Sequence, residues 1–273
     1  MADRKQLIFC TYSSVYSSIV LKALLDDEEI EVVAIINSTR VLSPNYGHIR
    51  GAFEQIKMTG LRYAFYLFLI TDGFSWSQPV LKNSRSSLKT METIARRGNI
   101  PFHNTVDINH KSTIEFISKC APDYLLAAHF NQLIKRDVLD LPRISCLNIH
   151  PSLLPAYKGV DPVFYAISDN NDIAGVSLHN MSEKFDMGDI CLQKSCRLHS
   201  NESVFEKNCQ LFLEGATLAV TWMKNPTKLM QQPKSVDSYD SWPTRQKVKA
   251  FHKSGKSLIT LLSFWRRVSK YEA

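Results

Sequence analysis

The sequence predicts an α/β fold, with a Rossmann-like, doubly wound and mostly parallel sheet between layers of helices. Two observations indicate it. Short apolar runs at residues 6–10 and 31–36 flank a segment with apolar side chains at helical spacing, and similar alternation continues along most of the chain. Strand–helix–strand units of this length favour parallel strands joined by right-handed crossovers. The strand patterns are also apolar almost throughout, as expected for strands that are covered on both faces.

The individual elements follow from the same two patterns. Further strands are predicted at 100–102, 123–128, 144–147, 175–179 and 191–198. Helices are predicted at 15–25, 91–97, 114–119, 161–168 and 204–223. The first turn, Thr11 to Ser14, lacks glycine, and its serines suit helix capping. Residues 61–70 form an aromatic and aliphatic run, for which a packed helix is favoured over an oligomer face or a membrane-surface segment, and Phe74 and Trp76 are predicted to lie in a loop.

The length of 273 residues allows one sizeable core with an appendage, and we predict a division into residues 1–230 and a C-terminal extension, 231–273. No apolar run approaches the roughly 20 residues that span a bilayer, and the first residues lack a signal-peptide pattern. The six cysteines form no C-x-x-C pair. We therefore expect a cytoplasmic protein with reduced thiols and no metal site.

The net charge of +7 is concentrated in the tail, because residues 243–273 hold eight Lys or Arg and one acidic residue. Three interpretations of this basic, helical tail stay open: a helical pair packed on the body, a homodimer arm, or a surface making weak contact with anionic lipid or nucleic acid. Packing is favoured because Trp242, Phe251 and Trp265 need burial, and short isolated helices are marginal in water.

The most informative stretch is residues 148–155, which read Asn-Ile-His-Pro-Ser-Leu-Leu-Pro. It follows an apolar run suited to a central strand, and its two prolines end regular structure. Asn148 and His150 are separated by one residue, so both side chains point to the same side of a strand. Ligands of open α/β sheets bind beyond the carboxyl ends of strands, where this pair is predicted to lie. A capping asparagine and a core histidine are the alternative for the pair alone.

A longer pattern joins this motif to Gly159 and to Asp186-x-Gly188-x-Ile190. Together these residues resemble the formyltransferase family that uses 10-formyltetrahydrofolate, which includes glycinamide ribonucleotide transformylase, methionyl-tRNA formyltransferase and sugar-nucleotide N-formyltransferases. The resemblance is clearest over residues 122–193, extends over about 6–225, and is absent after about 230. It implies a formyltransferase catalytic domain over residues 1–230 and 10-formyltetrahydrofolate as the formyl donor.

The resemblance also implies roles for particular residues. Formyl transfer to an amine develops negative charge on an oxygen, which amide and imidazolium N–H groups of Asn148 and His150 would stabilise. Asp186 would accept the proton from the attacking amine and favour the protonated histidine. The residues predicted to bind the folate are Phe130, Asn131, Gln132, Leu133, Ile134, Ser182, Glu183, Lys184 and Phe185. Recognition by the loop at 130–134 is expected to use its backbone, so that substitution of Gln132 has mild effects. The residues predicted to bind the acceptor are Thr11, Tyr12, Ser13, Pro151, Ser152 and Gly159.

The acceptor is expected to be a small-molecule amine, with an amino-sugar nucleotide favoured and no nucleic-acid partner. In the family, the RNA-contacting domain is larger than this tail and the purine enzyme uses a glycine-rich phosphate loop, while the formyl hydrolase carries an additional N-terminal domain. Alternatives are a purine intermediate, an aminoacyl-tRNA or water as acceptor, or a catalytically silent folate-binding module. His129 and His179 are interpreted as structural.

Overall fold

A seven-stranded sheet forms the centre of the computed structural model, which describes residues 4–43, 45–81, 88–199, 201–233 and 239–269. The described strands are β1 Lys5–Thr11, β2 Ile30–Ser38, β3 Phe102–Thr105, β4 Tyr124–Ala128, β5 Ser145–His150, β6 Lys158–Gly159, β7 Ile173–Asn180, β8 Ile190–Arg197 and β9 Tyr239–Asp240. Strands β6 and β9 pair only with each other, in parallel. The remaining strands make up the central sheet.

The order of strands across the central sheet is β3-β2-β1-β4-β5-β7-β8. Strands β1 to β5 of this sheet are parallel, while β7 and β8 are antiparallel to their neighbours. The chain runs outward from β1 to β3 on one side and then returns to β4 on the other. Such a reversal opens a crevice at the carboxyl ends of β1 and β4, which is where ligands bind in open α/β sheets. The predicted doubly wound, mostly parallel sheet is confirmed.

Helices cover both faces of the sheet. They are α1 Val15–Leu25, α2 His48–Thr59, α3 Leu61–Phe68, α4 Phe74–Ser77, α5 Met91–Arg97, α6 Lys111–Cys120, α7 Arg136–Leu139, α8 Pro162–Ser168, α9 Val204–Lys224, α10 Arg245–Lys253 and α11 Leu261–Ser269. Ser14 caps α1 by accepting a hydrogen bond from the backbone N–H of Ser17, as predicted from the turn. The predicted strand at 100–102 is observed later, at β3, because Pro101 has no N–H for the ladder.

The main hydrophobic core lies between the sheet and the pair α1 and α9. Helix α9 begins with a capping box of Ser203 and Glu206 and buries one face along its length. The Tyr16 and Phe212 rings stack between the two helices, with centroids 5.2 Å apart. Each fully buried side chain of this size contributes about 1.5–3 kcal/mol to folding. A second core, on the opposite face of the sheet, packs α6 beneath β1 and β4. The crevice is therefore held between two rigid layers.

The basic tail packs on the body through α10 and α11, as its apolar spacing predicted. Val248, Phe251, Phe264 and Val268 are buried in the main core, and the Phe251 ring stacks on that of Phe164 at 4.8 Å. The prediction that Trp265 is buried is wrong, because its side chain is 39% exposed on the outer face of α11. The boundary at residue 230 and the homodimer and anionic-surface interpretations stay predictions.

The aromatic run at 61–70 forms α3 and continues through a π-helical turn, Leu69–Gly73, into α4. Tyr63, Tyr66 and Phe74 are buried, which confirms a packed helix. The loop predicted at Phe74 and Trp76 is wrong, because both residues are helical and Phe74 anchors α4 in the core. Within the described residues, every helix is too short or too polar to cross a bilayer.

Candidate active site

A cavity of about 800 Å³ opens at the carboxyl ends of β1, β4 and β5. The turn after β1 contributes Tyr12, the loop after β4 contributes residues 129–134, and β5 contributes Asn148 and His150. The segment after β7, residues 181–186, closes a second side, and α2 and α3 form a third. The cavity has the size of a small-molecule site. The two parts of the sequence motif, 148–155 and 186–190, thus meet at one wall.

The amide of Asn148 is held by His179, which lies opposite it on the antiparallel strand β7. The Nδ2 of Asn148 lies 3.0 Å from Nε2 of His179, and Nδ1 of His179 lies 2.8 Å from the carbonyl of Asn180. That carbonyl can only accept, so Nδ1 of the ring carries the proton and Nε2 accepts from the amide. The pKa of His179 is lowered to about 4. Burial is the largest cause and the neighbouring His150 acts in the same direction, while Asp186 opposes the lowering. The neutral ring therefore fixes which way the amide points.

The imidazole of His150 lies between two acceptors. Its Nε2 donates to the backbone carbonyl of Tyr157 at 2.9 Å, and its Nδ1 lies 3.5 Å from Oδ1 of Asp186. The side chain is almost fully buried, so these neighbours, rather than water, determine the orientation of the ring. The separation of 3.5 Å is longer than a direct hydrogen bond, which leaves Nδ1 accessible to an oxygen of a ligand. The nitrogen available for chemistry is therefore Nδ1.

Asp186 is positioned by hydrogen bonds from two neighbouring segments, one from a backbone N–H and one from a side-chain amide. Its Oδ2 accepts from the N–H of Gly159 at 2.9 Å, while the side-chain amide of Gln232 donates to its carbonyl at 3.0 Å. Its own backbone is left-handed, at φ 54°. Gly188 lets this segment approach β7, since a Cβ there would lie 1.7 Å from the carbonyl oxygen of Asn180. Gly159 is likewise required, because φ is +108° and a Cβ would meet the carbonyl of Asp240 at 2.2 Å.

The predicted folate loop lines the cavity at every position from Phe130 to Ile134. Its polar side chains are used internally: Oε1 of Gln132 accepts from the N–H of Ile108 at 2.7 Å, and Nε2 donates to the Ser38 hydroxyl at 2.7 Å. The backbone N–H groups of residues 130–134 have no partner among the described residues, although Gln132 and Ile134 are buried. Buried N–H groups need an acceptor, so the loop fits a planar ligand read by the backbone.

The expectation that substitution of Gln132 has mild effects stays a prediction, and the structure argues against it, because this side chain joins two loops in the interior. Ser182, Lys184 and Phe185 also line the cavity as predicted, whereas Glu183 is exposed and outside the lining. Of the residues predicted to bind the acceptor, some line the cavity and others do not. Tyr12, Pro151 and Gly159 line the cavity.

Three predicted acceptor residues are turned away from the cavity, and each makes an internal hydrogen bond instead. The Thr11 hydroxyl donates to the Ala128 carbonyl at 2.8 Å, and the Ser152 hydroxyl donates to the Ala156 carbonyl at 2.8 Å. The Ser13 hydroxyl donates to the Glu92 carboxylate at 3.2 Å, and the backbone N–H of Ser13 donates to the Asn37 side chain at 3.0 Å. These residues support the turn after β1 and the turn after β5, and contact with an acceptor is not expected of them.

Sequence reasoning missed a second polar cluster in the cavity, at Asp161, Tyr63, Tyr66 and Asn208. The Tyr63 hydroxyl donates to Asp161 at 2.7 Å, and Nδ2 of Asn208 lies 3.5 Å from Asp161 and 3.4 Å from the Tyr66 hydroxyl. Burial raises the pKa of Asp161, and the hydrogen bonds from Tyr63, Asn208 and Phe164 oppose that rise. A polar Asn208 on the buried face of α9 was the one sequence signal for this cluster. His129, interpreted as a loop residue, is also in the lining, and its Nδ1 lies 3.1 Å from the Ser14 hydroxyl.

Comparison with known proteins agrees with the site's location. Residues 104–211 match the model of the family described as formyl transferase. The chain is 36% identical over 104 residues to methionyl-tRNA formyltransferase of Thermotoga maritima. The matched region covers 38% of this chain and 33% of that protein. The chain is 30% identical over 154 residues to the methionyl-tRNA formyltransferase of Ehrlichia canis, which is 56% of this chain and 51% of that protein. The chain thus spans about a third to a half of these curated relatives.

Solved structures share the fold at low identity. Glycinamide ribonucleotide transformylase 1 from Symbiobacterium toebii has a TM-score of 0.52 at 17% identity, covering 80% of this chain and 85% of that one. An N-formyltransferase from Helicobacter canadensis, in complex with folinic acid and dTDP-3-aminofucose, has a TM-score of 0.53 at 16% identity, covering 89% and 72%. Residues 104–211, which match the formyl transferase family model, supply every residue of the Asn148, His150 and Asp186 cluster.

Proposed function

We propose that this protein transfers a formyl group from 10-formyltetrahydrofolate to the primary amine of a small acceptor. The observation that carries the proposal is the convergence of Asn148, His150 and Asp186 on one wall of the cavity, with His150 between a carbonyl and a carboxylate. The family assignment of residues 104–211 supports the same reaction. A catalytically silent folate-binding module would not require this arrangement.

The donor half of the cavity is the strip formed by residues 130–134 and 181–185. The unpaired backbone N–H groups of the first segment suit the polar edge of a pterin, and the side chains of Phe130, Ile134 and Met181 give apolar contact with its faces. The bound folate supplies an activated formyl carbon. Folinic acid in the Helicobacter canadensis complex is a relative's ligand of this chemical type, which supports the assignment.

The protein's own groups have separate tasks in the transfer. One N–H of Asn148 is used by His179, so the second N–H can donate to the formyl oxygen as it gains charge. Nδ1 of His150, when it carries a proton, is the other donor, since Nε2 is committed to the Tyr157 carbonyl. Asp186 would take the proton that the amine loses on attack, directly or through one water. As the bond from the formyl carbon to the folate nitrogen breaks, that nitrogen keeps the electron pair and would receive this proton, so that tetrahydrofolate leaves as an amine. Two preorganised donors and one proton acceptor are the groups that this reaction needs.

The sequence favours an amino-sugar nucleotide as the acceptor. Sugar N-formyltransferases among the structural relatives support a small amine, including a 4-N formyltransferase from Francisella tularensis at 18% identity and a TM-score of 0.53, covering 87% of this chain and 76% of that one. The curated relatives named above favour an aminoacyl-tRNA as the rival acceptor. The amino sugar fits a cavity of about 800 Å³ better than the end of a tRNA with its phosphates, because the lining holds more acidic than basic side chains.

Two measurements test the proposal separately. Calorimetry with folinic acid should give saturable binding at micromolar ligand, and the Asn148→Ala protein should bind it equally well. Incubation with 10-formyltetrahydrofolate and a panel of amines, followed by mass spectrometry, should give an N-formyl product with the wild-type protein and far less with Asn148→Ala. Folate binding without any formylated amine across the panel would favour the silent binding module. The absence of folate binding would remove the donor assignment.

A further inference from the structure

The acceptor half of the cavity has an apolar wall that none of the catalytic residues requires. Helices α2 and α3 and the π-helical turn supply it, and its side chains are Ala52, Ile56, Leu61, Ala64, Phe65, Leu67, Phe68 and Ile70. Leu61 and Phe65 line the cavity and are still 72% and 52% exposed. The mouth of the cavity is thus an open apolar surface, which an apolar group of a ligand would cover.

The floor beside this wall is polar and acidic. Asp161 accepts hydrogen bonds from Tyr63 and Asn208, and the network continues from Asn208 to the hydroxyls of Tyr66 and Tyr16, which lie 2.7 Å apart. Among the described residues, no lysine, arginine or histidine forms an ion pair with Asp161. A carboxylate surrounded by tyrosine hydroxyls and an amide suits the hydroxyl groups of a sugar-like ligand, which can donate to it.

This half of the cavity is poorly suited to a diphosphate. Arg40 and Lys184 are the lysine and arginine side chains in the described lining, against Asp72, Asp161 and Asp186. Arg40 donates from Nε to the carbonyl of Val106 at 3.1 Å, and its guanidinium lies 3.8 Å from Asp107, so part of its charge is already paired. A diphosphate beside Asp161 would meet repulsion at close range instead of the paired cations that phosphate recognition usually uses.

The N-terminus of α1, where a glycine-rich turn could cradle a phosphate, is also closed. The Ser14 hydroxyl caps the helix and contacts Nδ1 of His129 at 3.1 Å, and the same nitrogen lies 3.1 Å from the Tyr12 carbonyl. Burial lowers the pKa of His129, and its backbone hydrogen bond to Tyr12 opposes this effect. The His129 imidazole is therefore neutral and lies at the N-terminus of α1, where an anion would otherwise bind.

We infer that the acceptor is an amino sugar, or a similarly hydroxylated amine, that carries an apolar group where a nucleotide diphosphate would otherwise be attached. The hydroxylated part lies over Asp161, Tyr63 and Asn208, and the apolar group covers Leu61 and Phe65. This inference rests on the proposed formyl transfer and replaces the nucleotide part of the acceptor predicted from the sequence. A glycolipid whose sugar is joined to its chain without a phosphate and a simple alkyl glycoside share the required chemistry.

The direct test compares one amino sugar in three forms: its dTDP ester, its methyl glycoside and its octyl glycoside. With 10-formyltetrahydrofolate saturating, kcat/KM should be at least about tenfold higher for the octyl than for the methyl glycoside, because the alkyl chain buries apolar surface. The kcat/KM for the octyl glycoside should also exceed that for the dTDP ester. A preference for the dTDP ester would overturn the inference and leave the formyl transfer intact. Failure of all three forms, with folinic acid still bound, would count against the acceptor class as a whole.

Two variants separate the apolar wall from the acidic floor. Phe65→Ser should raise KM for the octyl glycoside by about fivefold to tenfold and leave that for the methyl glycoside unchanged. Phe53→Ser is the matched control, since Phe53 is 65% exposed on the adjacent helix and outside the cavity lining. Equal effects of the two variants would contradict a role for the wall.

Asp161→Asn removes the negative charge of this side chain. The substitution is compatible with the local backbone and with the cap of α8. Asparagine also caps helices and tolerates the left-handed φ of 49° found at this position. If hydroxyl groups bind here, KM for the octyl glycoside should rise. If a phosphate group binds here instead, removal of the negative charge should lower KM for the dTDP ester, and this opposite sign would overturn the inference.

Discussion

The neutral state of His179 has a measurable consequence for the stability of the protein. In the folded chain the ring accepts a hydrogen bond from Asn148, and burial holds its pKa at about 4, below the ordinary 6.5. In the unfolded chain the ring titrates near its ordinary value. Replacing His179 by glutamine removes the titrating group from both states, so the comparison of wild type and variant reports its contribution together with its coupling to Asp186 and His150.

The sign and size follow from proton linkage. Between the two pKa values the unfolded chain binds a proton that the folded chain does not, so acid favours unfolding. The contribution of His179 is therefore complete above about pH 6.5 and is lost progressively as the pH falls towards 4. A lowering from 6.5 to about 4 corresponds to a limit of about 3 kcal/mol, of which about 2 kcal/mol is lost by about pH 5.

The assay is urea unfolding at pH 7.5 and pH 5 for the wild type, His179→Gln and the control His199→Gln. His199 is exposed and lies outside the cavity lining, so it is the matched histidine control. His179→Gln should lose about 2 kcal/mol less than the wild type over this interval, whatever its stability at pH 7.5. Equal losses in the wild type and His179→Gln would show that the ring is not held neutral, and the orientation assigned to the Asn148 amide would lose its basis.

Three further substitutions test how the site is supported. Gln132→Ala should lower the unfolding free energy by about 1–3 kcal/mol, since it leaves the buried N–H of Ile108 without its acceptor and removes one of the hydrogen bonds to the Ser38 hydroxyl; chemical denaturation at neutral pH measures this, and a neutral effect would support the expectation that substitution is mild. Phe251→Ala should cost about 3–5 kcal/mol by leaving a cavity against Phe164; a loss below about 1 kcal/mol would mean that the tail is not packed in the core. Gly188→Ala should lower kcat more than it weakens folinic acid binding, because the added Cβ would meet the Asn180 carbonyl and displace the segment that carries the catalytic carboxylate; unchanged kcat would contradict that placement.

Local patterns in the sequence were sufficient to predict most of the fold. The strands β1, β2, β4 and β5 are apolar on both faces, so their position in a parallel sheet could be inferred without contacts. Spacing within one strand also placed Asn148 and His150 on the same side, and the second part of the motif predicted that Asp186 would join them. The predictions of the strands and of the Asn148 and His150 pair depend on residues that are near each other in the chain, whereas the position of Asp186 was implied by the family resemblance.

Contacts between distant segments explain what the sequence could not predict. Asp161 meets Tyr63 and Asn208 only because α3 and α9 converge on the start of α8. His179 alternates with apolar neighbours, and the importance of its ring depends on the register between β5 and β7. The exposure of Trp265 is likewise set by which face of α11 the body leaves uncovered.

The proposed chemistry is tested most directly by single-turnover formyl transfer in the wild type and the His150→Ala protein, with the folate saturating and an accepted amine present. The variant should bind folinic acid with an unchanged Kd, because the donor strip at 130–134 is separate from the ring. Its rate of formyl transfer should fall by about 10² or more, as it does when a preorganised donor to a developing oxyanion is removed. Formylation by His150→Ala at close to the wild-type rate would contradict the roles assigned to Asn148, His150 and Asp186.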